Sequence, residues 1–154
     1  MNITKRLADN NIIIPDLTVP IANYKPFSIS GETIFISGQL PVLDGKVQFV
    51  GKLGDAFSVD EGQQAARLCG LNIIAHLKKA LNGDLDRVRS CIKLGGFVNA
   101  VPEFTDHPKV INGASDLMVE VFGDKGRHAR FAMGAGSLPL GVAVEVEAIF
   151  EFAS

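Results

Sequence analysis

The stretch Val144-Glu145-Val146-Glu147-Ala148-Ile149-Phe150-Glu151-Phe152 constrains the fold more than any other part of this chain. Its alternation has period two, so Val144, Val146, Ala148, Phe150 and Phe152 share one face, while Glu145, Glu147 and Glu151 share the other. A helix would scatter both sets around its circumference. An antiparallel strand with one face on a core satisfies them together. Just upstream, residues 129–135 are joined to it by Gly136-Ser-Leu-Pro-Leu-Gly141 and read as a hairpin partner. A turn symmetric about Leu138-Pro139 then sets Arg130 opposite Glu147 and diagonal to Glu145.

Such a strand needs helices to cover its apolar face, and the chain supplies two. Ser58 and Asp60 can each cap a helix over residues 61–81, where Ala65, Leu68, Cys69, Ile73, Leu77 and Leu81 recur with a period near 3.6 and Asn82-Gly83 stops it. A second helix over 105–122 carries Pro108 in its first turn and Gly123 as its stop, with Val110, Ile111, Ala114, Leu117, Met118 and Val121 as its apolar set. Between them, residues 88–101 read as a strand, with Gly95-Gly96 marking a bulge or a close backbone contact. Residues 27–30 and 33–37 form a hairpin around Gly31-Glu32, and Asp44-Gly45 introduces a possible short strand over 46–50. A short helix over 3–10 precedes an irregular arm punctuated by Pro15, Pro20 and Pro26. The order is that of a single α/β or α+β domain over 1–154, with an N-terminal arm over 1–24 and both long helices on one face of the sheet.

The other sheet face has no cover in this order, and composition bears on that gap. Only 21% of the 154 residues are charged, and 47% are apolar. The mean hydropathy is +0.23. So low a charge in a chain of this length leaves open what covers that face. With 15 Lys and Arg against 17 Asp and Glu there is no basic excess to hold a nucleic-acid backbone. No apolar run approaches the roughly 18 residues of a membrane span. The N-terminus lacks the apolar core of a signal peptide, and Cys69 and Cys91 have no Cys-x-x-Cys spacing, so a cytoplasmic protein is expected.

Candidate chemistry centres on Arg130. A guanidinium on a strand whose nearby positions Ala132, Gly134 and Gly136 are small leaves space for a ligand carboxylate, which an arginine fork binds bidentately. His76, His107 and His128 have no metal-ligand spacing, and each is expected to be exposed or hydrogen-bonded; no metal is assigned. Neither a nucleophile elbow nor a phosphate loop is present.

Taken together, Ser37-Gly38-Gln39-Leu40-Pro41, Phe97-Val-Asn99, Val110-Ile-Asn112, and Ala129-Arg130 followed by Leu138-Pro139 and Glu145-Val-Glu147 resemble the reactive intermediate deaminase (Rid, YjgF-type) family, whose older label is L-PSP endoribonuclease. Ala65-Ala-Arg-Leu-Cys-Gly-Leu-Asn72, Pro108-Lys-Val-Ile-Asn-Gly-Ala-Ser-Asp116 and Gly126-Arg-His-Ala-Arg130 are similar to a longer bacterial subgroup. The resemblance implies a chorismate-mutase-like mixed sheet and a homotrimer whose sheets form a central barrel, with ligand clefts between subunits. It implies hydrolysis of enamine and imine intermediates such as 2-aminoacrylate to 2-keto acids and ammonia, with no cofactor. Arg130 would bind the substrate carboxylate and Glu145 would position the attacking water. Tyr24, Ser37, Gly38 and Asn112 would line the cleft, and Glu147 would orient Arg130.

The chain departs from the family's usual pattern at Ala132, where many members have Cys, at the bulky Phe131, and at His128, where Pro or Ala is common. These departures keep a second possibility in view, a non-catalytic regulatory protein that captures small carboxylates in the same cleft. Endoribonuclease activity is disfavoured by the net charge of −2 and the lack of an aromatic-basic strip.

Overall fold

The computed structural model describes residues 2–17 and 24–154, so residues 1 and 18–23 of the expected arm lie outside the described residues. The elements are α1 (Ile3–Asp9), β1 (Phe27–Ser30), β2 (Thr33–Gln39), β3 (Val42–Leu43), β4 (Lys46–Val47), α2 (Val59–Ala80), β5 (Val88–Asn99), α3 (His107–Phe122), β6 (Ala129–Ala135) and β7 (Val144–Phe152). Five strands form one mixed sheet in the order β1-β2-β7-β5-β6, and β3 and β4 form a separate small ribbon. The strand expected over 46–50 is shorter than its sequence suggests: beyond Val47 only Val50 bridges, to Val142.

Helix boundaries follow local chemistry. Ser58 caps α2 in a capping box, accepting from the Glu61 backbone N–H while Glu61 Oε1 accepts from Ser58 N. α3 ends where Gly123 takes φ 63°. Helix α1 docks on the end of α3 through Arg6, whose Nε donates to the carbonyls of Glu120 and Val121 at 3.2 and 3.0 Å. Its Nη2 donates to those of Val119 and Glu120 at 3.2 and 3.0 Å. Val119 O also accepts from the Gly123 N–H, and these last-turn carbonyls carry the helix's negative dipole end, so a guanidinium is the side chain suited to them.

The expected β6–β7 hairpin does not form. β5 lies between the two strands, parallel to β6 and antiparallel to β7, so Gly95 pairs with Phe131 on one side and with Glu147 on the other. Arg130 is paired with Leu94 and not with Glu147. The reason is in the connection, which is too long for a tight turn. Residues 136–143 cross the end of β5, satisfying their backbone groups on Gly51 and Phe49 and on Asn99 at the end of that strand. They contain one 3-10 turn, with Leu140 at φ 57°. β5 gains pairing on both edges, which suits the most deeply buried strand in the sheet.

Both long helices lie on one face, as the apolar periodicity predicts. Ile34, Ile36, Leu94, Val98, Val146, Ala148 and Phe150 from the sheet pack with Cys69, Ile73, Ile111 and Leu117 in one buried cluster. Gly96 belongs to this face, where an added Cβ would lie 2.6 Å from Ile111 Cδ1. The Gly95-Gly96 pair therefore serves close approach, and the bulges of β5 fall earlier, between Val88 and Ser90 and between Cys91 and Lys93. The opposite face holds Phe35, Phe97, Phe131, Met133 and Ile149 among Lys93, Glu145 and Glu147. Within the chain it stays largely open: Phe35 is 44% and Met133 48% exposed.

Candidate functional site

Arg130 sits on the free-edge strand β6, half-buried, in register with Leu94 on the helix-covered face. Its Nη1 donates to Asn112 Oδ1 at 2.8 Å and to Ser115 Oγ at 3.1 Å, both on α3. Within the chain the expected pairing of this arginine with Glu147 is therefore corrected, and neutral acceptors hold it. Among the described residues, Nε and Nη2 make no hydrogen bond and no carboxylate forms an ion pair with the side chain. Charge and a two-pronged donor set stay available to an anion. Ala132 and Gly134 follow on the same face, and a Cβ at Gly134 would lie 2.7 Å from His107 Nε2, so that ring closes over the row beyond the arginine.

The second group lies on the open face. Between Ile36 and Gln39 the pairing of β2 with β7 shifts by one residue, and Ser37-Gly38 forms this bulge. Gly38 approaches Glu145 so closely that a Cβ there would overlap the carboxylate Oε1. Ser37 Oγ donates to the Lys25 carbonyl at 2.7 Å and Ser37 N to the Pro26 carbonyl at 2.9 Å, which brings the exposed Tyr24 to the same end of the sheet. Glu145 is half-buried, and burial first, then the neighbouring charge of Glu147, raise its pKa above the ordinary 4.5. A carboxylate raised in this way is a better proton acceptor for water than a fully solvated one.

The predicted residues thus form two groups. Arg130 and Asn112 make one; Glu145, Gly38, Ser37 and Tyr24 make the other. β5 separates them, and three positions of strand register offset Glu145, opposite Phe97, from Arg130, opposite Leu94. At strand spacings of roughly 4.8 Å and rises of roughly 3.3 Å per residue the two Cα atoms are about 14 Å apart, with side chains on opposite faces. One chain does not bring these groups to a common small ligand.

Two contributors escaped the sequence. Ser115 lies three residues after Asn112, a spacing that puts both on one helix face, and that was the available signal. Its hydroxyl lies 2.8 Å from His128 Nε2, and His128 Nδ1 lies 2.6 Å from the Gly126 carbonyl. Lys52 Nζ donates to Asn99 Oδ1 at 2.7 Å and to the Gly136 carbonyl at 2.6 Å, fastening the crossover to the end of β5. His76 corrects another expectation: it is buried on α2, and its Nδ1 has no partner among the described residues. Burial, then Lys79, lower its pKa. Among the described residues no three His, Cys, Asp or Glu side chains come together as a metal-binding group, and no helix is long and apolar enough to cross a membrane.

The family described as YjgF/chorismate mutase-like, putative endoribonuclease, matches residues 4–152. The chain belongs to this YjgF-type family. It is 48% identical to Protein TCP17 of Trypanosoma cruzi over 141 residues, 91% of this chain and 88% of that protein. Among solved structures it is similar to the protein Atu1372 from Agrobacterium tumefaciens, described as of unknown function, at 48% identity and a TM-score of 0.89, covering 99% of this chain and 94% of that one. A structure from Shewanella oneidensis described as a putative endoribonuclease matches at 38% identity and a TM-score of 0.94, covering 99% of this chain and all of that one. The YjgF-type membership agrees with the mixed sheet and the two helices on one face.

Proposed function

We propose that this YjgF-type protein is an enamine/imine deaminase that hydrolyses small 2-imino acids, such as the imine tautomer of 2-aminoacrylate, to 2-keto acids and ammonia. The observation that carries this assignment is Arg130: a guanidinium held at one nitrogen by neutral Asn112 and Ser115, with Nε and Nη2 free to take a carboxylate. The substrate's carboxylate binds this fork, which fixes the adjacent C=N carbon. Glu145 holds a water and takes its proton as the oxygen adds to that carbon. The resulting carbinolamine collapses, its C–N bond breaks, and protonated nitrogen leaves as ammonia while the C=O forms. The iminium is already electrophilic, so orientation and a poised base supply the main requirements.

The cleft forms between copies of the chain. Arg130 with Asn112 comes from one subunit and Glu145, Gly38, Ser37 and Tyr24 from the next, in a homotrimer whose open sheet faces bury Phe35, Phe97, Phe131 and Met133 in a central barrel. The separation of the two groups within one chain and the uncovered apolar face both support this assembly. The chemistry takes place in the cytoplasm, where pyridoxal-phosphate enzymes release such intermediates, and needs no cofactor and no nucleic-acid partner. The test is a coupled assay following loss of 2-aminoacrylate. Wild type should outpace the spontaneous rate, and a rate no different from Arg130→Ala would overturn the assignment.

One observation favours a second function. Arg130 and its supports stand complete on one edge without Glu145, so a carboxylate-binding regulatory protein needs only that group. Tight, Arg130-dependent binding of 2-oxobutyrate without turnover would select it.

A further inference from the structure

His128 and Ser115 stand behind Arg130 in a connected line. Gly126 O, His128 Nδ1, His128 Nε2, Ser115 Oγ and Arg130 Nη1 follow one another at 2.6 Å between the first pair, 2.8 Å from Nε2 to Oγ, and 3.1 Å from Oγ to Nη1. A carbonyl oxygen only accepts, so in the neutral form of this imidazole the proton resides on Nδ1 and Nε2 is an acceptor. The Ser115 hydroxyl therefore donates to Nε2. Its only proton is then committed, and what faces the arginine is a lone pair. The far end of the line is fixed as well: Gly126 is buried so closely against α3 that a Cβ there would overlap the Met118 carbonyl.

We propose that Ser115 and His128 are positioning residues for Arg130, a hydroxyl-imidazole relay that holds Nη1 so that Nε and Nη2 form a side-on fork for the carboxylate of a small 2-imino or 2-keto acid. The pair rests on the assignment of Arg130 as the carboxylate-binding group. A serine whose proton is free to rotate can present that proton to the guanidinium and repel it; tied to His128, it accepts only. Neither residue touches the substrate. Asn112 is the second, independent acceptor on the same nitrogen, so removing one member of the pair loosens the fork without releasing it.

The test combines calorimetry with 2-oxobutyrate, steady-state kinetics with 2-aminoacrylate, and nitrogen-proton NMR of the His128 ring on the assembled protein. Spectra should show Nδ1 protonated and Nε2 bare near pH 8, and the Nε2 signal should shift in Ser115→Ala. Ser115→Ala and His128→Phe should each raise the Kd for 2-oxobutyrate and the KM roughly three- to tenfold, the effect of weakening one of two acceptors on the same guanidinium nitrogen, with kcat changed less than about twofold. His128→Gln, which returns an acceptor to the hydroxyl, should recover most of the loss. An Nε2-protonated ring, or an unchanged Kd in His128→Phe that keeps wild-type circular dichroism and mass, overturns the proposal. Wild type that binds 2-oxobutyrate but turns over no 2-aminoacrylate defeats the deaminase assignment alone, and the Kd series still decides the role of the pair.

Discussion

Glu145 carries the clearest residue-scale consequence. Its carboxyl titrates above 4.5 in the fold because burial and Glu147 oppose its charge. A proton is therefore bound more tightly in the folded chain than in the unfolded one, so the stability linked to this group is complete below about pH 4.5 and is lost as pH rises through the raised value. Glu145→Gln removes that loss. Thermal unfolding should give the variant a higher Tm than wild type at pH 7 and an equal one near pH 4; a constant offset at both would contradict the assignment of the shift. Its catalytic counterpart has the opposite slope, since only the carboxylate accepts a proton from water and activity should fall as pH drops through the same window.

At the scale of elements, two contacts fix α3, one beside the Arg130 group and one at the far end of the helix. Gly113 lies where α2 and α3 touch: a Cβ there would overlap the Gln63 carbonyl oxygen and sit 2.8 Å from its carbon. Ala would gain roughly 1 kcal/mol of helix propensity. The clash is with backbone, which moves only if a helix moves, so Gly113→Ala should still destabilise by about 1–3 kcal/mol in chemical denaturation. It should also weaken 2-oxobutyrate binding, because Asn112 is the adjacent residue on α3. Arg6 works from the other end. Arg6→Ala strands the last carbonyls of α3 and undocks α1, and should cost about 1–2 kcal/mol with little change in ligand affinity, because the contact lies at the opposite end of the helix from Asn112.

For the whole molecule the expectation is an assembly near three times 16.4 kDa in solution. If each cleft takes Arg130 from one subunit and Glu145 from the next, then mixing inactive Arg130→Ala and Glu145→Ala chains through an unfolding and refolding cycle should restore activity. Random trimers of equal parts would contain one intact cleft in about a quarter of all positions, so recovery near that fraction of wild type is expected. No recovery in mixed trimers, verified by mass, would place both groups in one subunit's cleft. Phe131→Glu, on the open face, should shift the mass toward 16.4 kDa and abolish activity together.

The alternation of residues 144–152, the apolar period of the two long helices and the glycine and serine punctuation are local properties, and each determined its element before any packing was known. Arg130 stood out locally by the small residues around it, whereas Gly38 and Glu145 were named as a site only through the resemblance to the family. Strand order was not legible. Whether residues 136–143 turn back or step over β5 depends on which strand needs two partners, and that competition between β6, β7 and a strand some 40 residues earlier has no local signature. The neighbours of Arg130 followed from it: sequence alone paired the arginine with Glu147, whereas the crossover gave it Asn112, Ser115 and, behind them, His128. Tertiary structure decided the partners because hydrogen bonds form between groups that packing brings together, whatever their distance along the chain.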